Sequence, residues 1–389
     1  MTSRRSFITS TAFVTVGLLG VRQHVRAAQA SGLSSITDPA RFGPLGVDPA
    51  RILDLPEGFS YHVISRTGDE MDDGLLVPGK PDGMAAFPRE DGKTVVVMNH
   101  EMDSNLVTLS PFARDGSRLA RVDASKIYDP STTLPNNTQG PALGGTSTLI
   151  YDTKVRRVER HFMSLAGTVR NCAGGPTPRG SWITCEESVV GPKDGCSRWH
   201  GYNFEVPSSA GSLVDPVPLI AMGRFNHEAV AVDPDTGIVY QTEDRHDGLI
   251  FRFIPDVPGQ LARGGRLQAL VVVDRPGLDT RNWEKTDVET GRPMRVSWID
   301  IDDVESPDDS IRIKGFARGA ARFARGEGMW FGEGSIYFAC TNGGRAKKGQ
   351  IWKLDPSTDR LELFVEPNDG TVVDNADNLC VSPWGEVFV

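Results

Sequence analysis

The sequence predicts an all-β chain, and three observations carry that expectation. The first is composition. With 42 glycines and 26 prolines in 389 residues, no long capped helical pattern runs through the chain. The second is a series of short runs rich in Val, Ile, Phe, Tyr and Thr, at 94–98, 148–151, 229–232, 237–242, 249–253 and 350–354, bounded by turn residues. The third is a recurring hairpin signal. Asp233-Pro234 and Asp355-Pro356 each place Pro where a type I turn wants it, and Tyr151-Asp152-Thr153-Lys154 is a looser copy. Irregular spacing of these hairpins favours blades with insertions between them, and many strands with such hairpins in about 360 residues favour a β-propeller over a sandwich, expected to be six-bladed. The polar segment 264–308 has strand signals only at 267–273 and 296–301 and is expected to be in part such an insertion.

The first thirty residues read as an export signal. Ser3-Arg4-Arg5-Ser6-Phe7-Ile8 is a twin-arginine pattern, an uncharged apolar run follows from Ile8 to Val21, and Ala28-Gln29-Ala30 offers a small-x-small cleavage site. The run falls short of the roughly 20 residues a membrane span needs, and no later segment is apolar enough to insert stably. The expected organisation is a signal at 1–30 and one propeller domain over 31–389. The partner would be the twin-arginine export machinery, and the destination the periplasm or the medium. That route carries proteins folded before translocation, often around a cofactor.

Net charge is −9, and removing Arg4, Arg5, Arg22 and Arg26 with the signal makes it −13. No basic cluster stands out, so nucleic-acid binding is not expected. The five cysteines include no CxxC pair. Cys185, Cys340 and Cys380 lie in strand-like runs and are expected to be small buried residues. Cys172 is expected in a polar loop, Arg170-Asn171-Cys172-Ala173-Gly174-Gly175, that enters the strand ending in Cys185-Glu186-Glu187.

Acidic residues recur at strand ends. They include Asn99-His100-Glu101, Asn226-His227-Glu228, Thr242-Glu243-Asp244-Arg245, Arg325-Gly326-Glu327-Gly328 and Asp374-Asn375-Ala376-Asp377-Asn378. Glu is a poor turn former, so its repetition there calls for another explanation. Carboxylates meeting at a propeller mouth would repel unless cations neutralised them. Such oxygen donors suit Ca²⁺ or Mg²⁺, and adding one thiolate suits a transition metal such as iron. Neighbours on a strand face opposite ways, so Glu101 and Glu228 are expected as ligands, with His100 and His227 packed or supporting. Arg325 stands two residues before Glu327, on the same face, where its planar fork would balance charge or bind an anion.

These stretches, together with Asn-Cys-Ala-Gly-Gly through Trp182-Ile183-Thr184-Cys185-Glu186-Glu187 and Ser382-Pro383-Trp384-Gly385, resemble PhoX-type alkaline phosphatases over most of the chain from about residue 50. The resemblance implies a metal-dependent hydrolase of phosphate monoesters with an iron–calcium cluster at one propeller mouth. It implies Cys172 as the iron thiolate and as part of the catalytic centre. Glu101, Glu228 and Glu327 would be glutamate ligands. Asp244 would be an aspartate ligand, with Glu243 competing for that role, and Glu187 ranks behind them. Arg325 would be the catalytic and phosphate-binding arginine.

Two departures accompany the resemblance. Arg179 stands where the family motif carries Trp and is expected to alter the pocket wall or add an anion contact. The sequence also stops within a strand-like run at Val389, so the last blade is expected to be incomplete. The alternatives are a calcium-dependent propeller lactonase or esterase, which would have no use for Cys172, and a non-catalytic metal-binding propeller.

Overall fold

The computed structural model describes residues 43–389; the twin-arginine pattern, the apolar run and the cleavage site lie outside them. The described chain is almost entirely β, built as successive antiparallel meanders. The first is β1 (Pro81–Pro88), β2 (Thr94–His100), β3 (Gly144–Asp152) and β4 (Arg157–Thr168), hydrogen-bonded in chain order. The second is β5 (Asn171–Pro176), β6 (Ser181–Glu186) and β7 (Asn203–Pro207). The third is β8 (His227–Val232), β9 (Val239–Glu243), β10 (Ile250–Pro255) and β11 (Gly265–Val272). After β12 (Met294–Asp300) and the short helix α1 (Ile311–Ala317) comes a fourth, β13 (Gly326–Gly332), β14 (Ser335–Cys340), β15 (Gln350–Asp355) and β16 (Arg360–Val365). The pair β17 (Cys380–Val381) and β18 (Val387–Phe388) begins a fifth. Five units are thus present among the described residues, the last of them a single pair of strands.

The Asp-Pro hairpins fold as their chemistry demands: Val232 pairs with Val239, and Asp355 with Arg360. Alternation decides which face each strand buries. In β1, Ala85 and Phe87 are buried while Met84 is exposed. The segment expected as an insertion contributes more than that. Strand β12 pairs along β11, and its Met294 and Arg295 reach Leu361 and Arg360 of β16. It therefore joins the outer edges of the third and fourth meanders and leaves neither edge open. Only residues 273–293 run between β11 and β12 as loop.

The first strands β1, β5, β8, β13 and β17 pack against one another in chain order. Their close approach needs glycine. A methyl group added at Gly175 would lie 1.9 Å from the Val230 carbonyl oxygen, and one at Gly328 would lie 2.7 Å from the Asn378 Cα. The Asn378 side-chain amide donates to Asp82 at 3.2 Å, so the fifth unit meets the first at this end.

Two cysteine expectations change. Cys172 lies in β5 and not in a loop, and Cys380, on the short β17, is exposed. Cys185 and Cys340 are fully buried, as their apolar runs require.

Candidate metal and anion site

One local device, repeated in four units, builds the site. Pro81 pairs with His100, Asn171 with Glu186, His227 with Glu243 and Gly326 with Cys340. Directly after each of these pairs the register shifts, with two first-strand residues opposite one on the second strand. Such a bulge re-aims a side chain out of the regular pleat. The residue at the bulge is Asp82, Cys172, Glu228 or Glu327 in turn, and Asp377 occupies the corresponding place before β17.

The residue that ends the second strand's pairing completes each unit. The backbone N–H of Glu101 donates to the Lys80 carbonyl at 2.8 Å, that of Glu187 to Arg170 at 2.9 Å, that of Asp244 to Asn226 at 3.1 Å, and that of Thr341 to Arg325 at 3.1 Å. Each unit therefore presents a bulge residue, a strand-end residue and a flanking residue two positions before the bulge. Of the flanking residues, Lys80, Arg170, Arg325 and, in the fifth unit, Asn375 adopt positive φ, between 48° and 57°, whereas Asn226 does not.

These residues converge. Ligand atoms of Glu101, Cys172 and Glu187 lie within 4.8 Å of one another, as do those of Glu187, Glu228 and Asp244, and those of Glu228, Glu327 and Asp377. The groups share Glu187 and Glu228 and form one continuous acidic patch with a single thiol. Of the eight residues singled out in the sequence, seven meet here. Glu243 does not: its Oε2 accepts from the Leu249 N–H at 3.1 Å and its Oε1 faces Arg312 at 3.8 Å. Alternation along β9 sends Glu243 and Asp244 to opposite sides. Sequence reasoning passed over Asp82 and Arg170 as site residues and gave Asp377 no role, although Asp377 stood among the acidic strand ends.

Two arginines balance part of the charge. Arg325 grips Asp244 through Nε at 2.7 Å and Nη2 at 2.6 Å, and reaches Glu327 at 2.9 Å. Arg170 reaches Glu101 at 2.8 Å and also contacts Glu187. Glu228 has no such partner. It is fully buried, and neither carboxylate oxygen accepts a hydrogen bond. Burial, followed by the nearby Glu327 and Asp377 charges, drives its carboxyl well above the ordinary range. Burial raises Asp82 to about 7, helped by Asp377 and Glu101. It raises Glu187 to about 7 against the pull of Arg170. Burial and the Glu228 and Asp82 charges push the Cys172 thiol up as well.

An unpartnered buried carboxylate beside further acids and a thiol fits a cation site. The chemistry of the donors fits both kinds of ion: carboxylate oxygens for a hard cation, and Cys172 for a softer transition metal.

The residues beside the ligands hold the walls. His100 shares hydrogen bonds with the Gly79 carbonyl at 3.1 Å and Ser147 Oγ at 2.8 Å, and His227 stacks on Phe225 at 3.6 Å. Both face away from the acids. Glu186 is a buried staple. It accepts from the backbone N–H groups of Val169 and Gly201 at 2.9 and 2.8 Å, and it meets His200 at 2.6 Å. Asp129, Cys196 and His200 form a separate group, but carboxylates occupy both His200 ring nitrogens, at 2.6 and 3.2 Å. Arg179 is exposed in the turn after β5, at the far end of that strand from Cys172. Four steps of strand rise, about 13 Å, and then the turn itself separate them, so it does not line this site.

A family model described as alkaline phosphatase PhoX matches residues 40–389. No curated protein matches the sequence. Among solved structures, a candidate 6-phosphogluconolactonase from Bacteroides uniformis shares 11% identity over 77% of this chain and 75% of its own, with a TM-score of 0.29. A protein of unknown function from Dyadobacter fermentans shares 10% identity over 78% of this chain and 85% of its own, with a TM-score of 0.32. Overlap that slight assigns neither fold nor function.

Proposed function

The chain belongs to the alkaline phosphatase PhoX family, and we propose that it hydrolyses phosphate monoesters at an iron–calcium centre held by the acidic patch. The observation that carries the metal reading is Glu228, a fully buried carboxylate with both oxygens unpartnered between two other acidic groups. In this reading Cys172 is the thiolate ligand of iron. Glu101, Glu187, Glu228, Asp244 and Glu327 supply oxygen ligands to iron and calcium, and Glu243 is left out. The meanders are blades of a propeller whose mouth is the site.

When bound, the metals polarise the phosphoryl oxygens and neutralise charge that develops during transfer. The protein's own groups position the substrate. Arg325, partly exposed, gives Nε and Nη2 to Asp244 and Nη2 also to Glu327, which leaves its Nη1 group to meet a phosphate oxygen. Those two carboxylates hold the guanidinium at the mouth, so little side-chain freedom is lost on binding an anion. The bulges fix the bearing of Cys172, Glu228 and Glu327 through backbone pairing, which keeps the donors preorganised.

The twin-arginine pattern leads us to place the mature protein in the periplasm or the medium, delivered by the twin-arginine machinery after folding. Among the described residues no helix is long and apolar enough to cross a membrane.

The test is hydrolysis of p-nitrophenyl phosphate by protein purified from cells, before and after EGTA. Turnover that EGTA abolishes and added calcium restores is the expected result. Absence of turnover in metal-replete protein would sink the proposal.

A further inference from the structure

Arg170 and Arg325 occupy the same place in two units. Each stands two residues before a bulge ligand, Cys172 for one and Glu327 for the other. Each adopts positive φ, 48° and 51°. Each accepts on its carbonyl the N–H of the strand-end residue, Glu187 at 2.9 Å and Thr341 at 3.1 Å. Each donates its own N–H to the preceding unit, to Met102 O at 3.1 Å and Arg245 O at 2.9 Å. The backbone thus aims both side chains by one mechanism.

The two guanidinium groups also converge. Arg170 contacts Glu187, Arg325 grips Asp244, and the carboxylates of Glu187 and Asp244 belong to one group with Glu228. Each arginine therefore holds one member of a single acidic pair. Their side chains keep similar access to solvent, 32% and 38% exposed. Arg170 is the less saturated of the two. Its Nε is buried without a hydrogen-bond partner, whereas the Nε of Arg325 donates to Asp244 at 2.7 Å.

We propose that Arg170 is a second substrate-binding arginine, which contacts the phosphoryl group together with Arg325 and selects dianionic monoesters over monoanionic diesters. This rests on the phosphatase reading given above. Two guanidinium groups suit a group with two negative charges and three terminal oxygens. A diester phosphate carries one charge and two terminal oxygens, so it gains less from the second guanidinium. Cations bound to Glu101 and Glu187 compete with the guanidinium for those carboxylates, which releases Arg170 N–H groups towards an anionic ligand.

The test compares wild-type, Arg170→Gln and Arg170→Lys proteins, each first checked for bound iron and calcium. Three readouts follow: the inhibition constant of inorganic phosphate, KM and kcat for p-nitrophenyl phosphate, and the rate ratio against bis-p-nitrophenyl phosphate. Arg170→Gln is expected to keep its metals and to weaken phosphate inhibition roughly tenfold or more, the loss of one charge-assisted contact. It should raise the monoester KM more than it lowers kcat, and shift the rate ratio towards the diester. Arg170→Lys should recover part of the phosphate affinity. Loss of metal from both variants would mean that Arg170 only positions Glu101 and Glu187, which overturns the proposal. Unchanged phosphate inhibition and an unchanged ratio in a metal-replete variant overturn it as well. An inactive but metal-replete wild-type protein would instead refute the phosphatase reading.

Discussion

The side-chain amide of Asn99 donates to the main-chain carbonyl of Cys172 at 3.0 Å and thereby ties the thiol-bearing strand β5 to β2. The same amide donates to the Ala173 carbonyl at 2.7 Å, while its oxygen accepts the Trp182 indole N–H at 2.8 Å. All of these bonds are buried or nearly so, and Asn99 itself is fully buried. Replacing Asn99 with Ala leaves an indole N–H and two carbonyls short of partners, at a cost of about 1–3 kcal/mol for a buried group left unsatisfied. Asn99→Ala should melt several degrees lower and bind metal less tightly, as read by thermal denaturation with and without EGTA.

Glu228 sets stability against metal binding. Its buried, unpartnered carboxylate destabilises the chelated protein, and an isosteric amide removes that burden. Glu228→Gln is expected to raise the melting temperature in EGTA relative to wild type, and to abolish the further rise that metal gives the wild type. A chelated variant that melts lower than chelated wild type would show that Glu228 has a structural partner.

Asp244 and Glu243 separate cleanly. Asp244→Asn removes a residue of the acidic patch and the bidentate partner of Arg325, so metal content and phosphatase turnover should both fall, the latter by about 10²-fold or more. Glu243→Gln alters a buried contact with Arg312 and the Leu249 N–H. It should change stability by about 1–2 kcal/mol and keep its metal.

The chelated protein should lose stability as pH rises. Asp82 and Glu187 are raised to about 7, from ordinary values of 3.8 and 4.5. Between those limits the folded chain holds protons that the unfolded chain has released, so rising pH favours unfolding. Melting in EGTA should therefore be lower at pH 8 than at pH 5.5. Metal binding displaces the same protons, so calcium affinity should rise over that range. Calorimetric titrations at both pH values check the second half.

The strands were legible because runs rich in Val, Ile, Phe, Tyr and Thr are bounded by turn residues and because Asp-Pro turns mark the hairpins. The acids at strand ends were legible as a set because Glu has no reason to close a turn. The bulges were not legible, since a bulge exists only relative to the strand it pairs with. That is why two identical tripeptides hide different geometries: Glu101 of Asn99-His100-Glu101 sits after a second strand, whereas Glu228 of Asn226-His227-Glu228 sits on a first-strand bulge. Asp82 hid in Pro81-Asp82-Gly83, which reads as a turn. Arg170 looked like loop polarity until its backbone could be matched to that of Arg325. A signal was present in both arginines: each precedes its bulge ligand by two residues.

The central claim is that Cys172 and the surrounding carboxylates hold iron together with calcium. Elemental analysis of wild-type and Cys172→Ser proteins, purified side by side, tests it most directly. Wild type is expected to carry both iron and calcium, and the variant to lose its iron while keeping the fold. Wild-type protein with calcium alone, or a Cys172→Ser variant with undiminished iron, would contradict the account.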